Sequence, residues 1–292
     1  MKIGIYGREF NDSFIPNIQT LFNTLSLFDS TVFVYEPFHR YLNDRISLDS
    51  EPQFFNHHSE IKDKLDLLLS IGGDGTFLET IHIVRDSGIP ILGINTGRLG
   101  FLASTYKDDI ENALQFIKEG KFRLQTRSLI KLETEENLFG EENYALNELT
   151  VHKKDTSSMI TIHTYIGDLY LNSYWADGLI VSTPTGSTAY SLSCGGPIMV
   201  PGATDFVITP IAPHNLNVRP VVVPDDRTIR LKIEGRGRDY LCSLDSKSVT
   251  IDSAIELQVK KASFKINVVQ TDEQNFLNTI RNKMMWGLDR RN

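Results

Sequence analysis

Cysteine is scarce in this sequence, and the scarcity is informative. Only Cys194 and Cys242 are present, too few for a disulfide framework or a cysteine-rich zinc site. Both are expected to sit in the interior as small apolar residues. Positive charge is not in excess either: the formal net charge is −7, with no basic tail and no long Lys/Arg block. Broad binding to nucleic-acid phosphates needs the opposite balance, so nucleic acid is not an expected partner. Long apolar runs are also missing. No stretch approaches the roughly 20 residues that span a bilayer, and the run from Lys2 to Tyr6 is too short for a signal-peptide core. A cytoplasmic protein without a membrane partner is the expectation. Finally, no Gly-x-Gly-x-x-Gly follows the first apolar run, where only Gly4 and Gly7 stand. That counts against the dinucleotide fingerprint of dehydrogenases. No internal repeat or low-complexity segment is present.

What is there is enough for two cores. The chain has 292 residues, 40% of them hydrophobic and 23% charged, as in soluble globular proteins. Lys2 to Tyr6 reads as a strand. A helix with Ile15, Ile18, Leu21, Phe22 and Leu25 on one face follows, capped by Asp12 or Ser13. Thr31 to Tyr35 is a β-branched and aromatic strand. Asn43 to Glu60 reads as a polar stretch, with His57-His58 in an exposed loop rather than a metal site.

The central stretch is Leu-Asp-Leu-Leu-Leu-Ser-Ile followed by Gly72-Gly73-Asp74-Gly75-Thr76. The apolar run fits a fully buried parallel strand. Thr76 is expected to cap a helix whose apolar face is Phe77, Ile81 and Val84. Glycines between a strand end and a helix start let backbone N–H groups approach a phosphate. A carboxylate there would repel phosphate unless it had separate work, such as accepting a hydroxyl proton. The combination points to phosphoryl transfer to an alcohol, and the alternative is an ordinary turn with Asp74 as a solvated cap.

Ile91 to Ile94 forms the next strand and ends in a second glycine loop, Asn95 to Phe101, where Arg98 is the best cation for a phosphate contact, the alternative being a surface arginine on a loop. A helix from Asp108 to Lys118 buries Ile110, Leu114 and Ile117. Beyond Phe122 the period changes to two: Ile160/Ile162, Ile229/Leu231/Ile233, Ile255/Leu257/Val259 and Phe264/Ile266/Val268. The expected architecture is an α/β domain with a doubly wound parallel sheet, residues 1–121 and 271–292, and an antiparallel sandwich-like β domain, residues 122–270. A terminal helix, capped by Asp272 and carrying Phe276, Ile280 and Met284, is expected to return to the first domain.

Residues 177–196 form a second constellation: a strand from Leu179 to Ser182, a Pro-Thr-Gly turn, then a short helix rich in hydroxyls. Thr185, Ser187 and Thr188 offer donors and acceptors, and Tyr190 offers a flat face for a nucleobase or ribose.

Taken together, Gly72 to Thr76, Asn147-Glu148, Asp177-Gly178, Pro184 to Tyr190 and Pro213 to Pro220 resemble the NAD kinase family. The first string is shared with lipid kinases of the diacylglycerol and sphingosine type, whereas Pro-Thr-Gly-Ser-Thr-Ala-Tyr is far more specific. The resemblance implies ATP-dependent phosphorylation of the adenosine-ribose 2′-hydroxyl of NAD to give NADP. It also implies a divalent metal, Mg being expected, carried on the ATP phosphates rather than by protein ligands, and a homo-oligomer, tetramer or dimer. It makes Asp74 the base, beside Gly72, Gly73, Gly75 and Thr76. Asn147 and Glu148 would hold the dinucleotide, and Asp177 its nicotinamide end or ribose. Thr185 and the run Thr188, Ala189, Tyr190 to Ser193 would line the adenosine pocket with Ala212 beside it. Lys247 stands where relatives often carry a polar amide. Trp175 departs from the basic or very small residue common in relatives and cannot pair with a phosphate, so its plain alternative is packing at a strand end. His214 is expected to be structural. Rival readings are a lipid or other small-alcohol kinase and a non-catalytic dinucleotide sensor. Asp74→Asn is expected to keep the loop and lose turnover.

Overall fold

A computed structural model describes residues 1–97, 100–154, 158–237, 239–271 and 275–286. The chain divides into two compact units, residues 1–126 with 266–292 and residues 127–265. In the first unit the strands and helices alternate: β1 (Lys2–Gly7), α1 (Ile15–Ser26), β2 (Thr31–Tyr35), α2 (Glu36–Leu42), β3 (Gln53–Phe55), α3 (His58–Ile61), β4 (Leu67–Ile71), α4 (Asp74–Val84), β5 (Ile91–Ile94) and α5 (Ile110–Lys118). The strands lie in the order β3-β2-β1-β4-β5, all parallel. The order reverses direction between β1 and β4. In doubly wound sheets that reversal opens a crevice at the carboxyl ends of the two strands, where ligands bind. The glycine turn follows β4, at this edge.

β4 is buried at every position, as a strand covered by helices on both faces must be. On one face Ile3, Ile5, Leu67, Leu69, Leu92 and Ile94 join α1 and α5 in a single apolar cluster. On the other, Ser70 and Thr80 of α4 share a hydrogen bond of 2.9 Å, and Phe77 packs beside Gly93.

The second unit is antiparallel. It contains β6 (Phe122–Glu133, which begins in the first unit), β7 (Tyr144–Ala145), β8 (Glu148–Lys153), β9 (Ile160–Ile166), β10 (Leu169–Ala176), β11 (Gly178–Ser182), α6 (Tyr190–Ser193), β12 (Asp205–Ile211), β13 (Val221–Pro224), β14 (Ile229–Glu234), β15 (Asp239–Leu244), β16 (Lys247–Asp252) and the first part of β17 (Leu257–Thr271). One sheet runs β13-β12-β11-β8-β15-β16, and β10-β9-β14-β17 forms another. Inward residues of both, among them Val151, Leu179, Val181, Ile162, Leu231 and Val259, make one core. This is a sandwich. The end of β17 pairs parallel to β5, and α7 (Phe276–Met284) belongs to the first unit.

Several local expectations need correction. Helix α4 begins at Asp74, with Gly73 as its N-cap and no side-chain cap, so Thr76 lies inside the helix and packs its side chain over Gly72 instead. Asn11, not Asp12 or Ser13, caps the first helical turn, a 3-10 turn, by accepting from the Ser13 N–H. His57 and His58 are not in a loop. His57 forms a capping box with Glu60 at α3, and His58 bonds the Ile83 carbonyl at 2.9 Å and meets Asp86 at 3.2 Å. The sequence missed α2, β3 and α3 because none is long enough to show a period. Residues 255–268 belong mostly to one continuous strand. Cys194 is half-buried while Cys242 is buried. Asn275 caps α7, Met284 is exposed, and Asp272 lies outside the described residues.

Gly93 tests this packing. A Cβ there would meet the Ala103 Cα at 2.7 Å and the Leu102 carbonyl oxygen at 2.9 Å. Gly93→Ala is expected to destabilise by about 1–3 kcal/mol, read as a lower urea midpoint at unchanged slope.

Candidate functional site

In the first unit, Asp74 is held by the chain that follows β5. Its Oδ2 accepts from the Phe101 N–H at 2.8 Å, and its Oδ1 accepts from the Leu102 and Ala103 N–H groups, both at 3.0 Å. That segment is fastened back to β5: the Asn95 N–H donates to the Thr105 carbonyl, and the Thr105 N–H donates to the Gly93 carbonyl. Gly100 makes the grip possible, because a Cβ there would overlap the Asp74 carboxylate. A carboxylate has about four lone-pair sites. Among the described residues three are used, and the one left over is on Oδ2. Gly73 and Gly75 are exposed, with nothing near where a side chain would project. Arg98 lies outside the described residues.

In the second unit, β11 leads into Thr183-Pro184-Thr185-Gly186. The Thr183 N–H donates to the Asn147 carbonyl, and its hydroxyl donates to the Leu146 carbonyl at 2.5 Å. Gly186 lies directly on the Asn147 carbonyl, where any side chain would collide. The turn and the Asn147-Glu148 pair are therefore one packed piece. Ser187 is not open to a ligand: its hydroxyl is buried, donating to Pro184 and accepting from Met199. Thr185 is buried as well, accepting from Arg127 at 3.4 Å. Thr188 donates to the Thr185 carbonyl. Tyr190 and Ser193 are exposed, and so is Ala212, which has φ +45°. Positive φ is costly for a residue with a Cβ and recurs at functional sites.

Sequence reasoning missed Asp245. Its carboxylate accepts from the backbone N–H groups of Leu146, Asn147 and Glu148 at 2.8, 2.9 and 3.0 Å, and its own N–H returns to the Glu148 carbonyl. Burial pushes its acid up to about 6, with the three N–H bonds pulling the other way. Burial also pushes Glu148 up to about 8, and the neighbouring Asp245 charge adds to the shift. One oxygen of Glu148 is buried with no partner. The only sequence signal for Asp245 was its position in a tight turn between two alternating strands. Arg127 was missed too; it is buried on β6, and loss of hydration lowers its guanidinium to about 10.

The remaining expected residues are engaged with neighbours. Asp177 pairs with Lys153 at 2.5 Å. Lys247 pairs with Glu142. Trp175 is half-exposed on β10, its ring 4.3 Å from that of His214, whose N–H donates to the Trp175 carbonyl. The packing alternative for Trp175 and the structural reading of His214 both fit these contacts. Among the described residues, no group of three or more His, Cys, Asp or Glu suits a metal ion.

Both parts of the chain, the doubly wound unit with its glycine turn and the β-sandwich with its hydroxyl-rich turn, match a class of nucleotide-using phosphotransferases. The ATP-NAD kinase N-terminal domain matches residues 5–122, and the ATP-NAD kinase C-terminal domain matches residues 146–271. The chain belongs to the NAD kinase family. It is 49% identical over 294 residues to the NAD kinase of Flavobacterium psychrophilum and 50% identical over 295 residues to that of Cytophaga hutchinsonii, over the whole of each chain. The NAD kinase of Bacteroides fragilis is 42% identical over 291 residues, again covering both chains in full. Among solved structures, yeast NADH kinase complexed with NADH shares the fold at a TM-score of 0.86 and 23% identity, covering 98% of this chain and 88% of that one. An NAD kinase from Archaeoglobus fulgidus in complex with ATP has a TM-score of 0.72 at 25% identity, covering 98% and 99%.

Gly100→Ala is expected to push the Asp74 carboxylate off its three amides. The expected cost is about 1–3 kcal/mol of stability, read by urea unfolding, with the 100–103 backbone shifted in a crystal structure of the variant. An unmoved loop at full stability would mean that the grip tolerates a side chain there.

Proposed function

We propose that this chain transfers the γ-phosphoryl group of ATP to the 2′-hydroxyl of the adenosine ribose of NAD, giving NADP. The observation that carries the reading is Asp74, a carboxylate fixed by backbone amides at the switch point with one acceptor position on Oδ2 left over. That position takes the proton of the attacking hydroxyl. Phosphoryl transfer rests mostly on positioning and charge neutralisation, so one aligned acceptor beside a glycine turn suffices. Gly72 and Gly73 of the turn, with Gly75 and Thr76 in the first turn of α4, receive phosphate.

In the second unit, Asn147 and Glu148 hold the dinucleotide, and Asp177 serves its nicotinamide end or ribose. Thr185, Thr188, Ala189, Tyr190, Ser193 and Ala212 surround the adenosine, and Lys247 is a further contact. Arg98 is a phosphate contact. Trp175 replaces a phosphate-binding side chain with a ring, so any phosphate contact at that position is lost here. The described side chains form no cage for a divalent cation, and Asp74 is already occupied by three amides. The cation, Mg, is carried on the ATP phosphates in this reading, where it offsets their charge. The reading extends to a cytoplasmic homo-oligomer. No helix among the described residues is long and apolar enough to cross a membrane.

Incubation with ATP, a magnesium salt and NAD, followed by an NADP-specific assay, tests the activity. NADP is the expected product. A lipid kinase would make none, and a sensor would bind NAD without turning it over. Asp74→Asn is expected to lower kcat by about 10²–10⁴-fold, the usual contribution of a general base, with little change in KM. It keeps the loop less completely than the sequence suggested. An amide satisfies two of the three N–H donors and turns its own NH2 toward the third, costing about 1 kcal/mol or more. Near-parental kcat in this variant would remove Asp74 as the base.

A further inference from the structure

The coupled carboxyls Glu148 and Asp245 have opposite surroundings. Asp245 receives three consecutive backbone N–H groups, and hydrogen bonds to the charged form hold a carboxyl in that form. Glu148 receives none of comparable kind: its Oε2 is buried without a partner among the described residues. Ionised, Glu148 would lose hydration and face the Asp245 charge across a poorly polarisable interior, and no cation answers it directly. Lys247, the cation that acts on Asp245, is itself paired with Glu142. Among the described residues, the other titratable groups that feel Glu148 are Tyr190 of α6 and Cys194, the residue that caps its end, both pushed upward mainly by burial. Asp177, which also acts on Tyr190, is paired with Lys153.

We propose that Glu148 meets the nucleotide as a neutral carboxylic acid that donates a hydrogen bond to it, and that Asp245 is the positioning residue that keeps it neutral. A neutral acid presents an O–H donor as well as an acceptor, whereas an ionised one presents acceptors only. With Oε2 sealed in the interior, the donor that the neutral acid presents through its other oxygen selects an acceptor on the ligand, such as a ring nitrogen or a ribose oxygen of a nucleotide. Asp245 acts twice. Its charge opposes ionisation of Glu148, and its grip on the Leu146, Asn147 and Glu148 amides fixes the backbone from which Glu148 projects. Pairs of carboxyls driven apart in this way divide into one fixed anion and one acid. This inference rests on the reading that Asn147 and Glu148 hold the dinucleotide.

The sign follows from the direction of the shift. An acid raised to about 8 keeps its proton through neutral pH and loses it above that value. Calorimetric binding of NAD to the full chain, from about pH 6.5 to about pH 9.5, is therefore expected to be level at first. Above the midpoint, affinity should weaken by about tenfold per pH unit. Glu148→Gln supplies a permanent neutral donor. It is expected to abolish the alkaline limb and to bind NAD at least about tenfold more tightly than the parent at the upper end of the range. Asp245→Asn removes the neighbouring charge and is expected to move the limb to lower pH, with the effect in KM rather than kcat. If that variant does not fold, the parent and Glu148→Gln profiles still decide. A level parental profile, or a Glu148→Gln variant that keeps the limb, overturns the neutral acid. A limb that stays in place in folded Asp245→Asn overturns the role of Asp245. Binding separates this from the kinase reading. NADP formation with pH-independent affinity keeps the kinase and removes the acid, whereas the limb without NADP formation does the reverse. No binding of NAD at any pH removes both.

Discussion

The amides of Phe101, Leu102 and Ala103 converge on the carboxylate of Asp74, and the chain after β5 takes its course from that convergence. Three N–H groups in a row cannot be satisfied by a sheet ladder once the strand has ended. Left unpaired in a partly buried loop, each would cost on the order of 1–3 kcal/mol. One carboxylate answers all three and is itself immobilised. The cost falls on the neighbours: Gly100 has no room for a side chain, and Gly93 must stay bare where the same segment crosses β5. A carboxylate positioned by backbone rather than by side chains inherits the rigidity of the sheet, a property that positioning chemistry depends on.

The sandwich uses the same device a second time. Asp245 closes on Leu146, Asn147 and Glu148, and the Thr183 turn closes on the carbonyls of Leu146 and Asn147 from the other side. Both the donors and the acceptors of that short stretch are thus claimed by neighbours. Among the described residues, the side chains of Asn147 and Glu148 have no such partner. The outcome is a stretch of backbone fully occupied in holding shape. Glu148, buried and unpartnered on one oxygen, bears the electrostatic consequence.

How much of this was legible depended on whether a residue's role was local. The run from Leu67 to Ile71, the face of Ile18, Leu21, Phe22 and Leu25, and the alternation of Ile229, Leu231 and Ile233 all declared themselves, because burial on one side imposes a period. The glycine turn declared itself because few other uses exist for three glycines and an acid in five residues. Short elements such as α2, β3 and α3 did not, since a piece of four to seven residues has no room for a period. Thr76 misled because a threonine near a helix start usually caps it. Here Asp74 opens the helix and is drawn sideways to the next loop, and Thr76 is used to cover Gly72.

The sequence by itself determined the two kinds of sheet, the order of their longer strands along the chain, and the places of the glycine and hydroxyl-rich turns, since each is written in residues close together. Tertiary structure alone decided which carboxylates are held and which are left unanswered. Asp74 finds its amides 27 to 29 residues away, and Asp245 finds its own 97 to 99 residues away. The strength of an acid depends on the donors and charges within a few ångströms of it, and no reading of adjacent residues brings such distant groups together.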